Sequence, residues 1–314
     1  MQTARDVGER INSGCCQPLS LGIRGIEVRR FVSQECGARG FSTGSAIFQP
    51  GAQFPYHRHE VSECVTVLEG QLTILLEGRR YRLGLLDCIH IPAGVAHSSR
   101  NEDPGQRTVV HNAFGSARPS RTFTNEEFPH PEHESEHPLA GVPETIRRFS
   151  KSDLYEASEG AFFIDLFAKR FGSKGICGGY GSFNPGSSLP CHIHRYDESI
   201  TIINGSAVCL VKGERYELAN LDTAFIPEGR PHRFLNQSGD KMAMLWVYAG
   251  DEPDRIEVDP GYCSGAVVWP GKDSVLATKP VGRSTDTVGG VTSWASTTNA
   301  STRNTTIHDS YPTE

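Results

Sequence analysis

Three histidines and one glutamate occur twice in this 314-residue chain, in the same order and at the same spacing. The first set is His57, His59, Glu63 and His97; the second is His192, His194, Glu198 and His232. Each member of the second set lies 135 positions after its counterpart. Imidazoles with a carboxylate suit Fe(II), Mn(II), Ni(II), Zn(II) or Cu(II). Four protein ligands on an octahedral ion leave positions open for water, O2 or a bidentate oxygen ligand, whereas structural zinc sites are usually closed tetrahedra, often with Cys. A lone histidine would more simply be a buried structural group. Eight residues in two matched constellations favour metal over that reading.

The elements that must position these residues are short strands. On a strand, residues i and i+2 face the same side, so His57 and His59 point inward with Arg58 outward, and His192 and His194 repeat this. Glu63 opens the next strand, and His97 follows the turn Pro92-Ala-Gly94. Turn signals at Glu69-Gly70 and Glu77-Gly78 return at Asn204-Gly205 and Lys212-Gly213. Strands of four to seven residues at this spacing predict a sandwich or barrel, built twice. The closing strands are expected to keep the same offset, with Gly250 matching Gly115 and Trp246 matching His111.

Composition bounds the rest. Net charge is −6 with acids and bases both common, so no basic patch points to nucleic acid. The first ten residues hold no apolar signal core, and no apolar run of 18 residues suggests a membrane span. Nine scattered cysteines in such a chain are expected to be reduced thiols in a cytoplasmic protein. Residues 1–20 read as an arm, or a strand added to a neighbour. Residues 21–118 form the first unit, 119–148 a proline-punctuated linker, and 149–262 the second unit. Residues 263–314 are poor in large apolar groups and read as a disordered tail. His130, His133 and His137 in the linker are read as solvated, because the prolines prevent one preorganised face.

Several positions carry bland readings. His90 has Phe225 and His111 has Trp246 as counterparts, so both histidines are read as packing positions, with His111 and Trp246 lining the pockets as the second reading. Ile74, Leu75, Ile91, Leu210, Phe225, Ile226 and Trp246 offer apolar walls for an aromatic substrate, but ordinary barrel core is the preferred reading for most of them.

Gly-x5-His-x-His-x3-Glu-x6-Gly followed by Pro-x-Gly-x2-His-x3-Asn resembles the two signature motifs of the cupin superfamily, over roughly residues 40–115 and 175–250. One departure recurs: the glycine usual before the aspartate of the second motif is replaced, giving Leu86-Asp87 and Leu221-Asp222. The resemblance implies an all-β chain of two tandem double-stranded β-helix (jelly-roll) barrels. It implies one divalent metal per domain, with Fe(II) favoured over Mn(II), Ni(II) or Zn(II). Retention of all eight ligands favours an enzyme over a storage protein. The leading expectation is a dioxygenase like the flavonoid-cleaving bicupins, acting on an enol, enolate or aromatic small molecule, with Glu63 or Glu198 doubling as a base. A metal-dependent isomerase or decarboxylase of a sugar or oxo-acid is the alternative, and a non-catalytic small-molecule binder the third. The expected partner is a small-molecule substrate, with no nucleic acid and no membrane. The resemblance also allows a homodimer.

Overall fold

The computed structural model describes residues 8–12, 22–129 and 133–278. Four antiparallel sheets pair into two jelly-roll barrels. In the first, a six-stranded sheet has Glu63–Glu69 and Thr108–Phe114 at its centre, and a five-stranded sheet contains Gln53–Arg58, His97–Arg100 and Leu72–Leu76. In the second, a seven-stranded sheet centres on Glu198–Asn204 and Met242–Tyr248, and a five-stranded sheet contains His192–Ile193, His232–Leu235 and Ala207–Val211. Alternation along each strand sends Ile74, Leu76, Ile89 and Ile91 into the first core and Ile200, Ile202, Cys209 and Val211 into the second. No helix among the described residues is long and apolar enough to cross a membrane.

The outer faces of the two large sheets meet in a third apolar cluster. Phe31, Phe41 and Leu86 of the first half pack there with Phe167, Phe225 and Leu245 of the second. Each fully buried side chain of this size stabilises by ~1.5–3 kcal/mol. Across the same layer the Thr43 and Ser199 hydroxyls lie 3.0 Å apart, and the Arg39 amide donates to Asp197 at 2.8 Å.

Each barrel is finished by a strand from the other half's leading segment. Arg10–Asn12, which precedes the first barrel, pairs with Thr223–Ile226 of the second. Thr145–Arg147, which precedes the second barrel, pairs with Cys88–Ile91 of the first. The registers correspond, Arg10 opposite Phe225 and Thr145 opposite His90.

Segment 119–148, read as a linker, therefore contributes an edge strand, and a second short strand, Thr122–Phe123, pairs with Gln53–Arg58. His130 lies outside the described residues, and His133 and His137 are exposed. Of the tail, residues 263–278 are described and contain the end of a helix at Pro260–Ser264 and the helix Lys272–Thr278. The expected disorder of 279–314 falls outside the described residues.

Two further expectations are corrected. Cys191 and Cys263 form a disulfide, so the thiols are not all reduced; Cys36, Cys64, Cys88, Cys177 and Cys209 are free and buried. Cys15 and Cys16 lie outside the described residues. The constant offset also fails after Asn101. Glu63 pairs with Phe114 and Glu198 with Tyr248, an offset of 134 on the closing strand. The loop from Asn101 to Thr108 is one residue longer than that from Asn236 to Met242. Hence Trp246 corresponds to Asn112, not His111, and Gly250 does not correspond to Gly115.

The replaced glycine leaves the turn intact. Leu86 and Leu221 take φ of 61° and 66°, in the left-handed region where a side chain costs ~1–2 kcal/mol. Their amides donate to Val67 and Ile202 at 2.8 and 2.6 Å, and Leu86 packs in the interbarrel cluster, which offsets that cost.

His111, corresponding to Leu245, sits beside Phe31 between the barrels, away from the lining of the first cavity. Burial pushes its pKa down to about 4, as it does for His90. A histidine held neutral when folded loses stability as pH falls from its unfolded value near 6.5 towards 4, because only the unfolded chain takes up the proton. At pH 5 this amounts to ~2 kcal/mol per group. In urea unfolding, His111→Leu is expected to lose about 2 kcal/mol less than the unaltered chain between pH 7 and 5. Equal losses would place His111 in solvent contact.

Candidate metal centres

The sequence brings the four residues of each set to one end of its barrel. His57 lies opposite His97 across the Gln53–Arg58/His97–Arg100 pair, and His192 lies opposite His232. All eight residues are buried, at most 5% exposed. Arg58 points outward to Glu126 at 2.9 Å, as the alternation requires. In the first barrel, one donor atom from each of His57, His59, Glu63 and His97 falls within 4.8 Å of the other three. In the second, His192, His194 and His232 meet the same condition. Glu198 is not in that group, although its Oε2 lies 2.8 Å from His232 Nε2 and 3.3 Å from His194 Nε2.

The imidazole tautomers follow from their outer partners. His57 Nδ1 donates to Pro55 O at 2.8 Å, His97 to Val95 O at 3.0 Å, His192 to Pro190 O at 2.7 Å and His232 to Arg230 O at 2.8 Å. His59 donates to Ser120 O and His194 to Asp254 O. With every Nδ1 turned to a carbonyl, every Nε2 faces the centre, the outer arrangement typical of metal-ligating histidine. His59 Nε2, His194 Nε2, His232 Nε2 and Glu198 Oε2 are buried without a hydrogen-bond partner despite their proximity. Converging buried acceptors of this kind are costly unless a cation joins them. The residues therefore fit a divalent ion.

Electrostatics agree at the first centre. Burial pushes His57 down to about 3, helped by His97 and opposed by Glu63. Burial also lowers His59. Burial alone would raise the Glu63 carboxyl, but its hydrogen bond to His97 and the surrounding imidazoles hold it well below the usual range. The same balance holds Glu198 low. His192 is pushed far down by burial, whereas for His194 the nearby Glu198 and Asp254 outweigh burial and raise it to about 9.

The two centres differ around the ligands. Asn112 Nδ2 donates to Glu63 Oε1 at 2.8 Å; its counterpart is Trp246, which fills the equivalent space. The first centre opens on a cavity of about 140 Å³ bounded by Phe54, Asn112, Phe114 and Arg121. The second opens on one of about 30 Å³ walled by Tyr155, Trp246, Tyr248 and Arg255, little more than one water's share of space. Of the apolar walls expected, Trp246 lines the second cavity; Ile74, Ile91 and Ile226 are barrel core, Phe225 lies between the barrels, and Leu75 and Leu210 are half-buried. Asn112, Arg121 and Arg255 were not singled out from sequence. Pro119-Ser-Arg121 and Pro253-Asp-Arg255 repeat at the slipped offset and could have flagged the arginines.

This double architecture is matched by comparison. The cupin-domain family profile fits residues 44–111 and again 179–248. The chain carries two cupin domains. Over 123 residues, 37% of this chain and 35% of the relative, it is 32% identical to quercetin 2,3-dioxygenase of Bacillus subtilis (strain 168). Over 106 residues, 32% of this chain and 34% of the relative, it is 36% identical to endoribonuclease YbeY of Myxococcus xanthus. The matches thus span about a third of those curated relatives. A structure of oxalate decarboxylase from Bacillus subtilis superposes with a TM-score of 0.64 over 80% of this chain and 79% of that one, at 16% identity, a likeness of fold. Mn(II) centres are described for that enzyme.

Proposed function

We propose that the first cupin domain is the catalytic site of a metal-dependent dioxygenase acting on an enol or enolate small molecule. The observation that carries this is the 140 Å³ cavity opening directly on His57, His59, Glu63 and His97. The local identity to a quercetin dioxygenase supports the reaction class. A redox-capable divalent ion, Fe(II) in this reading, would supply Lewis acidity towards a chelating enol and one-electron chemistry with O2. His57, His59 and His97 would hold it through Nε2, and Glu63 through its carboxylate. Asn112 keeps Glu63 Oε1 engaged, leaving Oε2 towards the centre. Glu63 is also the base that takes the enol proton in this reading. Phe54 and Phe114 exclude water from the inner wall.

In the second domain we propose a resident metal without organic substrate. Glu198, expected from sequence as a second base, lies beside a cavity too small for one, and is proposed as a ligand only. Asp254, 3.6 Å from His194 Nδ1, adds a negative charge behind that ligand where the first centre has Ser120. Such a carboxylate–histidine pair strengthens metal holding.

The second reading, decarboxylation of a small oxo-acid, uses the same ligands and is favoured by the arginines at the first cavity. Oxygen uptake separates the two. Chain reconstituted with Fe(II), Mn(II), Ni(II) or Zn(II) is assayed against flavonols, diketones, catechols and oxo-acids in an oxygen electrode. One O2 consumed per substrate is the expected result. Turnover with CO2 release and no O2 uptake would move the assignment to a lyase, and metal uptake without any turnover would move it to a binding protein.

A further inference from the structure

In both domains the residue that accepts the second histidine's Nδ1 proton is followed by an arginine: Ser120 by Arg121 and Asp254 by Arg255. The two arginines meet different surroundings. Arg255 Nη2 donates to Ala157 O at 3.1 Å, and Glu257 lies 3.8 Å from the same guanidinium. Arg121 lies against the face of Phe54, 4.7 Å from its centroid, and its buried Nε has no hydrogen-bond partner. Phe54 in turn stands 4.7 Å from the His57 ring, so the guanidinium is carried to the edge of the ligand group.

The charge around Arg121 does not balance within the protein. Three arginines, Arg29, Arg30 and Arg121, line the first cavity against one carboxylate, Glu63. That carboxylate is already a member of the donor set. Arg29 pairs with Glu27 at 2.7 Å and Arg30 with Glu35 at 3.2 Å, both away from the ligands. Burial lowers the Arg121 pKa; attraction to Glu63 opposes this and repulsion from Arg30 adds to it. A desolvated cation with a like charge nearby is stabilised by an incoming anion.

We infer that Arg121 determines the specificity of the first cavity by receiving an anionic group, a carboxylate above all, on a ligand whose enol and keto oxygens face the His57/His59/Glu63/His97 group. The inference rests on the chelating site proposed above and narrows its substrate class to enol or hydroxyketo acids. A guanidinium offers a planar fork matching both carboxylate oxygens, which a lysine at the same place would not. The second cavity has neither the room nor this arginine geometry, so the selectivity belongs to the first domain.

The test uses two hydroxypyranone chelators, kojic acid and comenic acid, which share the hydroxyketone and differ in a neutral hydroxymethyl against a carboxylate. Their dissociation constants are measured by calorimetry on the metal-loaded full chain. Comenate is expected to bind at least about 10-fold more tightly than kojic acid, the range of a charge-assisted hydrogen bond. Arg121→Gln is expected to abolish that preference while kojic acid binding stays within about twofold and metal content is unchanged. Arg121→Lys is expected to keep part of it. Equal binding of both probes to the unaltered chain overturns the inference and leaves the chelating site standing. A preference that survives Arg121→Gln also overturns it. Equal loss of both probes in Arg121→Gln, with loss of metal, would assign Arg121 to positioning Ser120 and His59 and overturn it as well. Binding of neither probe to metal-loaded chain overturns both the inference and the chelating site.

Discussion

A His57→Ala chain is expected to hold one metal equivalent where the unaltered chain holds two, and to lose turnover. His192→Ala is expected to lose one equivalent as well but to keep binding substrate in the first cavity. The reasoning is geometric. Each of the three imidazoles is locked by a backbone carbonyl at Nδ1, so none of the others can turn to replace a missing Nε2. Loss of an outer hydrogen-bond partner alone weakens metal about 10–100-fold, so loss of a ligand should exceed about 100-fold. Plasma mass spectrometry on chain purified without chelators reads the stoichiometry, and chelator calorimetry reads the first cavity. If His192→Ala abolishes turnover and His57→Ala does not, the assignment of the catalytic domain is reversed.

Asn112→Trp is expected to have the next largest effect. It places at the first centre the residue that the second centre already has, and so should close the 140 Å³ cavity towards the 30 Å³ of its counterpart. Chelator affinity and turnover should fall by at least about 100-fold, or ~3 kcal/mol of binding, with metal content still two. The substitution also removes the 2.8 Å hydrogen bond to Glu63 Oε1. Asn112→Leu separates the two effects, since it removes the bond and keeps the space. It should weaken metal by about 10–100-fold and leave chelator binding to metal-loaded chain nearly intact. Unchanged chelator affinity in Asn112→Trp would mean that ligands enter elsewhere.

How much of this could be read without coordinates is settled by what carries periodic information. His57 and His59, or His192 and His194, sit two apart on strands that alternate, and the motif spacing places Glu63 and His97 by the same turns each time. Those positions are fixed by hydrogen-bond ladders, so the structure brings them together where alternation puts them. The closing strand is different. Its register depends on a loop of unconstrained length after Asn101, and one extra residue exchanged the identities of pocket and interface positions. Under the constant offset His111 stood for Trp246; in the ladder it stands for Leu245 and faces the other barrel. Arg121 escaped notice because Thr122–Phe123 is a two-residue strand, too short to show any period, in a stretch whose prolines read as linker. Cys191 and Cys263 lie 72 residues apart, and nothing in their spacing announces a bond.

The exchange of leading strands has a consequence for biosynthesis. Thr145–Arg147 leaves the ribosome soon after the first barrel and can cap its open edge at once. Arg10–Asn12 is made about 210 residues before its partner strand, Thr223–Ile226. At 5–20 residues per second the arm waits roughly 10–40 s for its partner. During that interval another nascent chain's edge is an equally good template, since an unpaired strand pairs with whatever backbone is offered. Crowded polysomes, rather than the finished protein, are therefore where two copies of this chain would become entangled.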